Sequence, residues 1–462
     1  MGTVFDPFLL ATTTAEVLSL AHASEAAVTH WQQGRLRKLL AAARSGSALY
    51  RERLVHLPDD PHALSQIAPV GRDELMGRFS QWVTDPRLVL SELQDFSADP
   101  DRVGKPCLGR YLVWESSGTS GVPGIFVQDA RAMAVYDALE AVRRSTDLRT
   151  RRWLDPFYLS ERMAFVGATG GHFASFVSLE RLRQLQPWLA SSMRSFSILQ
   201  PVEALVDALN AFAPTVLASY PTAALLLAEQ AERGRLKVGL REVWTGGETL
   251  SPAVRQRIET ALGCRVRNSY GASEFLAMGW ECEAGQLHLN TDWLVLEPVD
   301  ENNRPVPLGQ ASCSVLLTNL ANTVQPLIRY GMGDQVTVHA ERCVCGSPFP
   351  VIEVQGRHDD TLRMHGPRGE VALLPLALAT VLEEQAGVFD FQIRQRDAST
   401  LVLRLPMVGQ EGRDALKSCR AALQSFALAQ GTLPIRVLGE LGQAVPRGRS
   451  GKSCRILAKG SS

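Results

Sequence analysis

Between residues 202 and 270 the chain alternates two kinds of apolar segment. "VEALVDALNAF" spaces its apolar residues at helical intervals, and Pro214 follows it. "TVLASY" is a short β-rich run. "TAALLLAEQAERG" reads as a helix ending at a glycine, and "LREVWTGGE" as a strand running into a Gly-Gly turn. "SPAVRQRIETALG" opens with Ser251 as an N-cap and Pro252 at the first helical position. "CRVRNSYG" is the next strand. This β-α-β-α-β order predicts a parallel sheet with helices on its faces. In such sheets ligands sit at the carboxyl ends of the strands. "TGGE" (245–248) and "SYGASE" (269–274) lie at two such ends.

The flanks read differently. Residues 15–55 have helical apolar spacing in "AEVLSLAHASEAAVTHW" and "LRKLLAAA". Beyond about residue 285, "QLHLNTDWLVLEPV", "ASCSVLLTNL" and "DQVTVHAERCVCG" read as strands joined by turns, which predicts an antiparallel β unit. The last stretch runs helix ("LLPLALATVLEEQAG"), two strands, helix ("GRDALKSCRAALQSFALAQG") and strand ("PIRVLGE"). That order is expected to make a small α+β domain.

The totals exclude several classes. A chain of 462 residues exceeds one compact core. Lys+Arg and Asp+Glu are both 48, so no global field favours nucleic acid or an anionic membrane. No apolar run reaches the roughly 20 residues that span a bilayer. The N-terminus has no basic segment before its short apolar stretch, so it makes a poor signal peptide. Eight scattered cysteines do not form a disulfide framework. A cytoplasmic location is the expectation.

One loop stands out, "WESSGTSGVPG" (114–124). Its glycines permit close approach of backbone to a ligand, and its hydroxyls and free N–H groups suit phosphate oxygens. In isolation it reads equally as a solvated turn. It is followed in order by "TGGE", "SYGASE", "RYGMGD" (329–334), "GRHDD" (356–360) and "GRSGKSCR" near the C-terminus. Spread over some 340 residues, these motifs make the chain resemble the adenylate-forming superfamily of acyl-CoA synthetases, adenylation domains and luciferases. "SSGTSG", "YGASE" and the "CVCG…GRHDDTLRM" junction are most similar to the phenylacetate–CoA ligase branch.

The resemblance implies an α/β fold. Residues 1–357 would form a large ATP- and acid-binding domain, with parallel sheets flanked by helices plus a β subdomain. Residues 358–462 would form a small mobile α+β domain carrying the catalytic lysine. Ser116, Ser117, Gly118, Thr119, Ser120 and Gly121 would close over the phosphates of ATP. The family's usual next residue, lysine, is Val122 here. Gly246, Gly247, Glu248, Tyr270 and Gly271 would flank the adenine, although Tyr270 reads equally as a core ring. Asp334 would take the ribose hydroxyls. Arg329 and Arg357 would lie near the phosphates or the hinge, Glu274 would hold Mg²⁺, and Asp359 would be the hinge. Lys452 would stabilise charge gained at the α-phosphate.

The reaction implied is ATP-dependent activation of an aromatic carboxylic acid, then transfer to coenzyme A. The acid pocket is expected in "MAFVGATGGHFASF" (163–176), at Phe165, Gly171, His172 and Phe173, completed by Tyr220, Ala272 and Phe275. Cys282, His288, Cys343 and Cys345 fit a closed structural Zn²⁺ site, or else are free thiols. The expected partners are small molecules, with neither nucleic acid nor membrane, and a homodimer is left open. An amine or carrier-protein acceptor, activation of a group other than a carboxylate, and a non-catalytic nucleotide-binding relative are the alternatives.

Overall fold

The helix Pro252–Leu262 forms where the sequence places its signals. Ser251 accepts a hydrogen bond from the Val254 N–H at 3.3 Å, Pro252 presets the first turn, and Gly263 ends the helix at φ 63°. Pro221 likewise opens Pro221–Glu232, and Val202–Phe212 ends at Ala213 in a left-handed conformation ahead of Pro214. These helices connect parallel strands. In this computed structural model, which describes residues 4–56, 61–116, 123–143, 161–355, 360–446 and 454–459, five strands run parallel. Their spatial order is Met193–Ser197, Met163–Gly167, Val216–Ser219, Glu242–Thr245 and Arg265–Ala272.

That order reverses direction between Met163–Gly167 and Val216–Ser219. From the first the chain crosses outward to Met193–Ser197; it then returns to the other side for Val216–Ser219. The connections therefore diverge there and leave a crevice beyond the carboxyl ends, where α/β sheets bind ligands.

The expected antiparallel strands beyond residue 285 form, divided between two sheets. Arg265–Ala272 turns back through Ser273 and Glu274 into Phe275–Glu281, with a bulge between Tyr270 and Ala272. Leu287–Leu289, Val351–Gln355 and Gln335–Val338 add to that strand, so one mixed sheet has nine strands. Leu294–Val299, Ser314–Asn319 and Tyr330–Gly331 form a three-stranded sheet of their own. The strand that joins the antiparallel part of the nine-stranded sheet to the parallel strands, Phe275–Glu281, has no sequence signal. Most of it is buried, so it is apolar on both sides and carries no alternation to reveal a strand.

Toward the C-terminus the helix–strand–strand–helix–strand order appears as Pro375–Ala386, Gln392–Asp397, Thr400–Leu405, Gly409–Ala429 and Arg436–Leu441. A hairpin, Leu362–Gly366 with Gly369–Leu373, precedes it. A short strand, Ile456–Leu457, follows and pairs in parallel with Gln392–Asp397. One apolar cluster joins Leu378, Phe391 and Leu403 here with Leu217, Leu227 and Val243 of the parallel sheet and its helices. Arg363 donates to Glu229 at 2.7 Å and the Gln430 amide to the Leu199 carbonyl at 2.6 Å across the same boundary. Among the described residues no helix is long and apolar enough to cross a membrane.

Candidate functional site

A cavity of about 1500 Å³ opens at the carboxyl ends of the parallel strands. Tyr220, Gly246, Gly247, Glu248, Tyr270, Gly271, Ala272 and Glu274 all line it, as does Asp334 from the far side. It is large enough for a nucleotide and an acid together.

The bulge in Arg265–Ala272 carries the densest chemistry. A Cβ on Gly271 would overlap the Leu276 carbonyl oxygen and lie 2.9 Å from its carbon, so glycine alone fits. Next to it the Tyr270 hydroxyl donates to Asp334 Oδ2 at 2.9 Å. Burial pushes the Tyr270 ionisation well up, and the Asp334 charge adds to this, so the hydroxyl stays a donor. Ser273 and Glu274 form the turn between the paired strands. The Trp114 indole donates to the Ser273 carbonyl at 2.8 Å, and Asn319 to the Glu274 carbonyl at 2.9 Å. The buried Glu274 side chain then accepts from Tyr330 Oη at 3.1 Å.

Other expected nucleotide contacts have structural duties. Both Glu248 oxygens accept from Thr222, from its N–H and its hydroxyl, each at 3.0 Å. This caps the first turn of Pro221–Glu232. Gly247 has φ 78°, and a Cβ there would press on the Tyr220 ring at 3.1 Å. Ser116 lies at the neck of the Ser/Gly loop, where Leu112–Glu115 pairs with Ile125–Gln128. Its Oγ accepts from the Gly124 N–H at 2.9 Å, and its own N–H donates to the Gly124 carbonyl at 2.9 Å. Ser116 therefore closes the loop's base as well as facing the cavity. Ser117, Gly118, Thr119, Ser120, Gly121, Arg357, Asp359 and Lys452 lie outside the described residues.

Three expected site residues are placed elsewhere. Arg329 does not line the cavity: its Nε donates to Glu297 at 3.0 Å, and its guanidinium also reaches the Ser65 and Ile67 carbonyls. His172 is fully buried on the far side, with Nε2 3.0 Å from the Asp99 carbonyl and its ring edge-on to Phe96. Phe275 packs in the core, 5.1 Å from the Tyr136 ring centroid. Strand alternation explains the first two. Tyr330 and Phe173 line the cavity, so their neighbours Arg329 and His172 point the other way. Gly171 is near Phe173 but not at the wall, whereas Phe165, Phe173, Tyr220 and Ala272 are.

Sequence reasoning missed Arg72. It opens the six-residue helix Arg72–Gly77, faces the cavity and hydrogen-bonds Tyr330. No motif surrounds it. Its place comes from Val70, which pairs with Arg329 and Gly331 through hydrogen bonds of 3.1 and 2.9 Å. A buried ion pair, Arg455–Glu383 at 2.7 Å, forms part of the wall on the C-terminal side.

A second cluster lies elsewhere. The ligand atoms of Cys282, His288, Cys343 and Cys345 all fall within 4.8 Å of one another. Cys282 Sγ is 3.7 Å from Cys343 Sγ, and Cys345 Sγ is 3.3 Å from His288 Nε2. Two thiolates on a tetrahedral zinc with bonds of about 2.3 Å would be about 3.8 Å apart, so the sulfur spacing fits. His288 Nδ1 is 2.8 Å from the Phe349 carbonyl, which turns Nε2 toward the sulfurs. The Trp280 ring stacks on the imidazole at 5.3 Å.

A family model described as AMP-binding enzyme matches residues 189–312, which hold the strand ends just described. A phenylacetate–coenzyme A ligase of Thermus thermophilus is 31% identical over 164 residues, covering 34% of this chain and 37% of the relative. The Protein CapK of Staphylococcus aureus is 26% identical over 204 residues, 43% of each chain. The chain thus spans less than half the length of either relative in these alignments. A phenylacetate–coenzyme A ligase of Pseudomonas putida is 24% identical over 74% of each chain. Among solved structures, a 2-hydroxyisobutyryl-CoA ligase in complex with 2-HIB-AMP and CoA has a TM-score of 0.56 at 21% identity. That match covers 93% of this chain and 89% of the other, and it shows a shared fold. Over the residues these alignments cover, the chain is similar to AMP-binding enzymes, phenylacetate–CoA ligases among them, and it shares the fold of the 2-hydroxyisobutyryl-CoA ligase.

Proposed function

We propose that the protein joins a carboxylic acid to the thiol of coenzyme A at the expense of ATP. The observation that carries this reading is the placement of Tyr270–Asp334 and Glu274 around one bulge at the mouth of the crevice. A carboxylate oxygen of the acid attacks the α-phosphorus of ATP. The bond from that phosphorus to the bridging oxygen breaks, and pyrophosphate leaves with the electron pair. The thiol sulfur then attacks the acyl carbon, AMP leaves, and the thiol proton passes to solvent.

Each residue has a role in this reading. Asp334 accepts from the ribose hydroxyls while Tyr270 holds its other side. The backbone of Gly246 and Gly247 lies against the adenine beside Tyr220. Glu274, a buried carboxylate on the cavity wall, fits a hard divalent cation, and Mg²⁺ bound there would neutralise phosphate charge. Lys452 meets the charge that develops on the α-phosphate, and the loop 117–121 covers the outer phosphates. Phe165, Phe173 and Tyr220 form an aromatic wall, which favours an aromatic acid. The division at residues 357 and 358, with the hinge at Asp359, allows the second part to reorient between the two steps. Cys282, His288, Cys343 and Cys345 would hold a structural zinc, which would fasten the turn after Gln335–Val338 to the antiparallel strands.

The test is pyrophosphate release across a panel of aromatic and aliphatic acids, with and without coenzyme A. The reading expects acid-dependent release and thiol-dependent AMP. Release that leads to an amide or a protein-bound acyl group, with coenzyme A inert, would replace the second step. No release with any acid would overturn the first.

A further inference from the structure

Glu274 is buried, yet it borders a cavity proposed to take a polyanion and a divalent cation. A carboxylate in that position needs something to hold its orientation. Its backbone is fixed by Asn319 and by the turn beneath Trp114. Its side chain is held by a chain of two donors. The Tyr330 hydroxyl donates to Glu274 Oε1 at 3.1 Å, and the Arg72 guanidinium donates to Tyr330 Oη.

All three residues line the same cavity. They come from segments about 200 and 60 residues apart in sequence. What joins them is backbone pairing: Val70 N–H donates to the Arg329 carbonyl at 3.1 Å, and Gly331 N–H donates to the Val70 carbonyl at 2.9 Å. Val70 thus lies beside Tyr330 as a parallel bridge, and Arg72 follows two residues later at the start of its helix. A guanidinium held this way adds positive charge behind the tyrosine and polarises its O–H toward the carboxylate.

We propose that Arg72 and Tyr330 are positioning residues that orient Glu274, through the relay Arg72–Tyr330–Glu274, to present its second oxygen to the divalent cation accompanying ATP. The inference rests on the proposed function. It assigns work to a residue that no motif contains.

The experiment compares the parent with Arg72→Met, Arg72→Lys, Tyr330→Phe and the Arg72→Met/Tyr330→Phe double variant. Calorimetry measures ATP binding without acid over a series of Mg²⁺ concentrations. Pyrophosphate release is followed over the same series, and melting is recorded for each protein. Arg72→Met should raise the Mg²⁺ needed for half-maximal tight ATP binding about tenfold, as for one lost charge-assisted hydrogen bond. Tyr330→Phe should do the same, and Arg72→Lys should restore part of the effect. The double variant should be no worse than either single one, because both cut the same relay. An unchanged Mg²⁺ dependence in Tyr330→Phe, which removes a single oxygen, overturns the proposal. So do effects that multiply in the double variant. A parent that binds ATP with Mg²⁺ but releases no pyrophosphate with any acid sinks the ligase reading, while the binding measurements still decide the relay. A parent that does not bind ATP sinks both.

Discussion

Replacing Gly271 with alanine tests whether the bulge beside Tyr270 organises the site. The added Cβ would overlap the Leu276 carbonyl oxygen and sit 2.9 Å from its carbon. Non-bonded carbons rest at about 3.5–4.0 Å, so one strand must yield by at least about 0.6 Å. Both partners are backbone of the paired strands Arg265–Ala272 and Phe275–Glu281, so no flexible side chain can absorb the overlap. Overpacking of this kind costs about 1–3 kcal/mol. The functional effect is larger. Tyr270 and Glu274 flank the strained point, and a shift of about 1 Å in a positioning element lowers rate by about 10²-fold. The assay is acid-dependent pyrophosphate release with melting on the same preparation, beside Gly239→Ala, where a Cβ meets nothing within 4 Å. Gly239→Ala should match the parent. Gly271→Ala should melt earlier and lose about 10²-fold in rate. If it keeps half of the parent's rate and its melting transition, the bulge does not hold the site, and the argument from Tyr270 and Glu274 fails with it.

Three further outcomes follow from the same geometry. Gently purified protein should carry about one equivalent of zinc, the content of one four-ligand site. A Cys343→Ser/Cys345→Ser variant should lose the metal and melt earlier; elemental analysis finding no metal in the parent would remove the site. Lys452→Ala should slow adenylate formation by about 10²-fold or more while sparing transfer from a preformed adenylate, and an equal loss in both steps would count against the assignment. Arg363→Met removes the cation 2.7 Å from the buried Glu229, whose other partner, Arg257, is 3.4 Å away. The half-exposed arginine limits the cost to about 1 kcal/mol, but it should exceed that of Arg368→Met, whose pair with Glu203 is 3.7 Å long and exposed. Equal melting of the two variants would mean that the Glu229 contact does not stabilise the docked C-terminal residues.

The sequence showed most where local chemistry sets structure. Ser251, Pro252 and Gly263 bound a helix by caps and fixed φ, and these need no distant partner. The carboxyl ends at Thr245 and Ser269 followed from the alternation of strands and helices, and they line the cavity. Burial on both faces hid Phe275–Glu281. The hairpin of Leu362–Gly366 and Gly369–Leu373, just beyond the "GRHDD" motif, was not legible in the sequence. Arg72 was illegible for a different reason. It reaches the site only because Val70 pairs with a strand some 260 residues later, and nothing near Arg72 signals that pairing.

Motifs also failed to say which side of the backbone a residue would take. "GGHF" and "RYG" each put two chemically plausible side chains next to each other. In an extended segment adjacent side chains face opposite ways, so one of each pair must leave the site. The choice depends on which strand pairs alongside and in what register. Glu115 N–H donates to the His172 carbonyl at 2.8 Å and bridges Phe173, which sets that segment with Phe173 toward the cavity. Thr318 Oγ1 accepts from the Arg329 N–H at 3.0 Å, and Tyr330 pairs with Leu317, which sets Tyr330 toward Glu274. Of the two residues that turn away, His172 packs against Phe96 and the Asp99 carbonyl, whereas Arg329 supports the site from behind. Arg329 ties Ser65 and Ile67 to Glu297, and so holds in place the segment that carries Arg72 to the cavity.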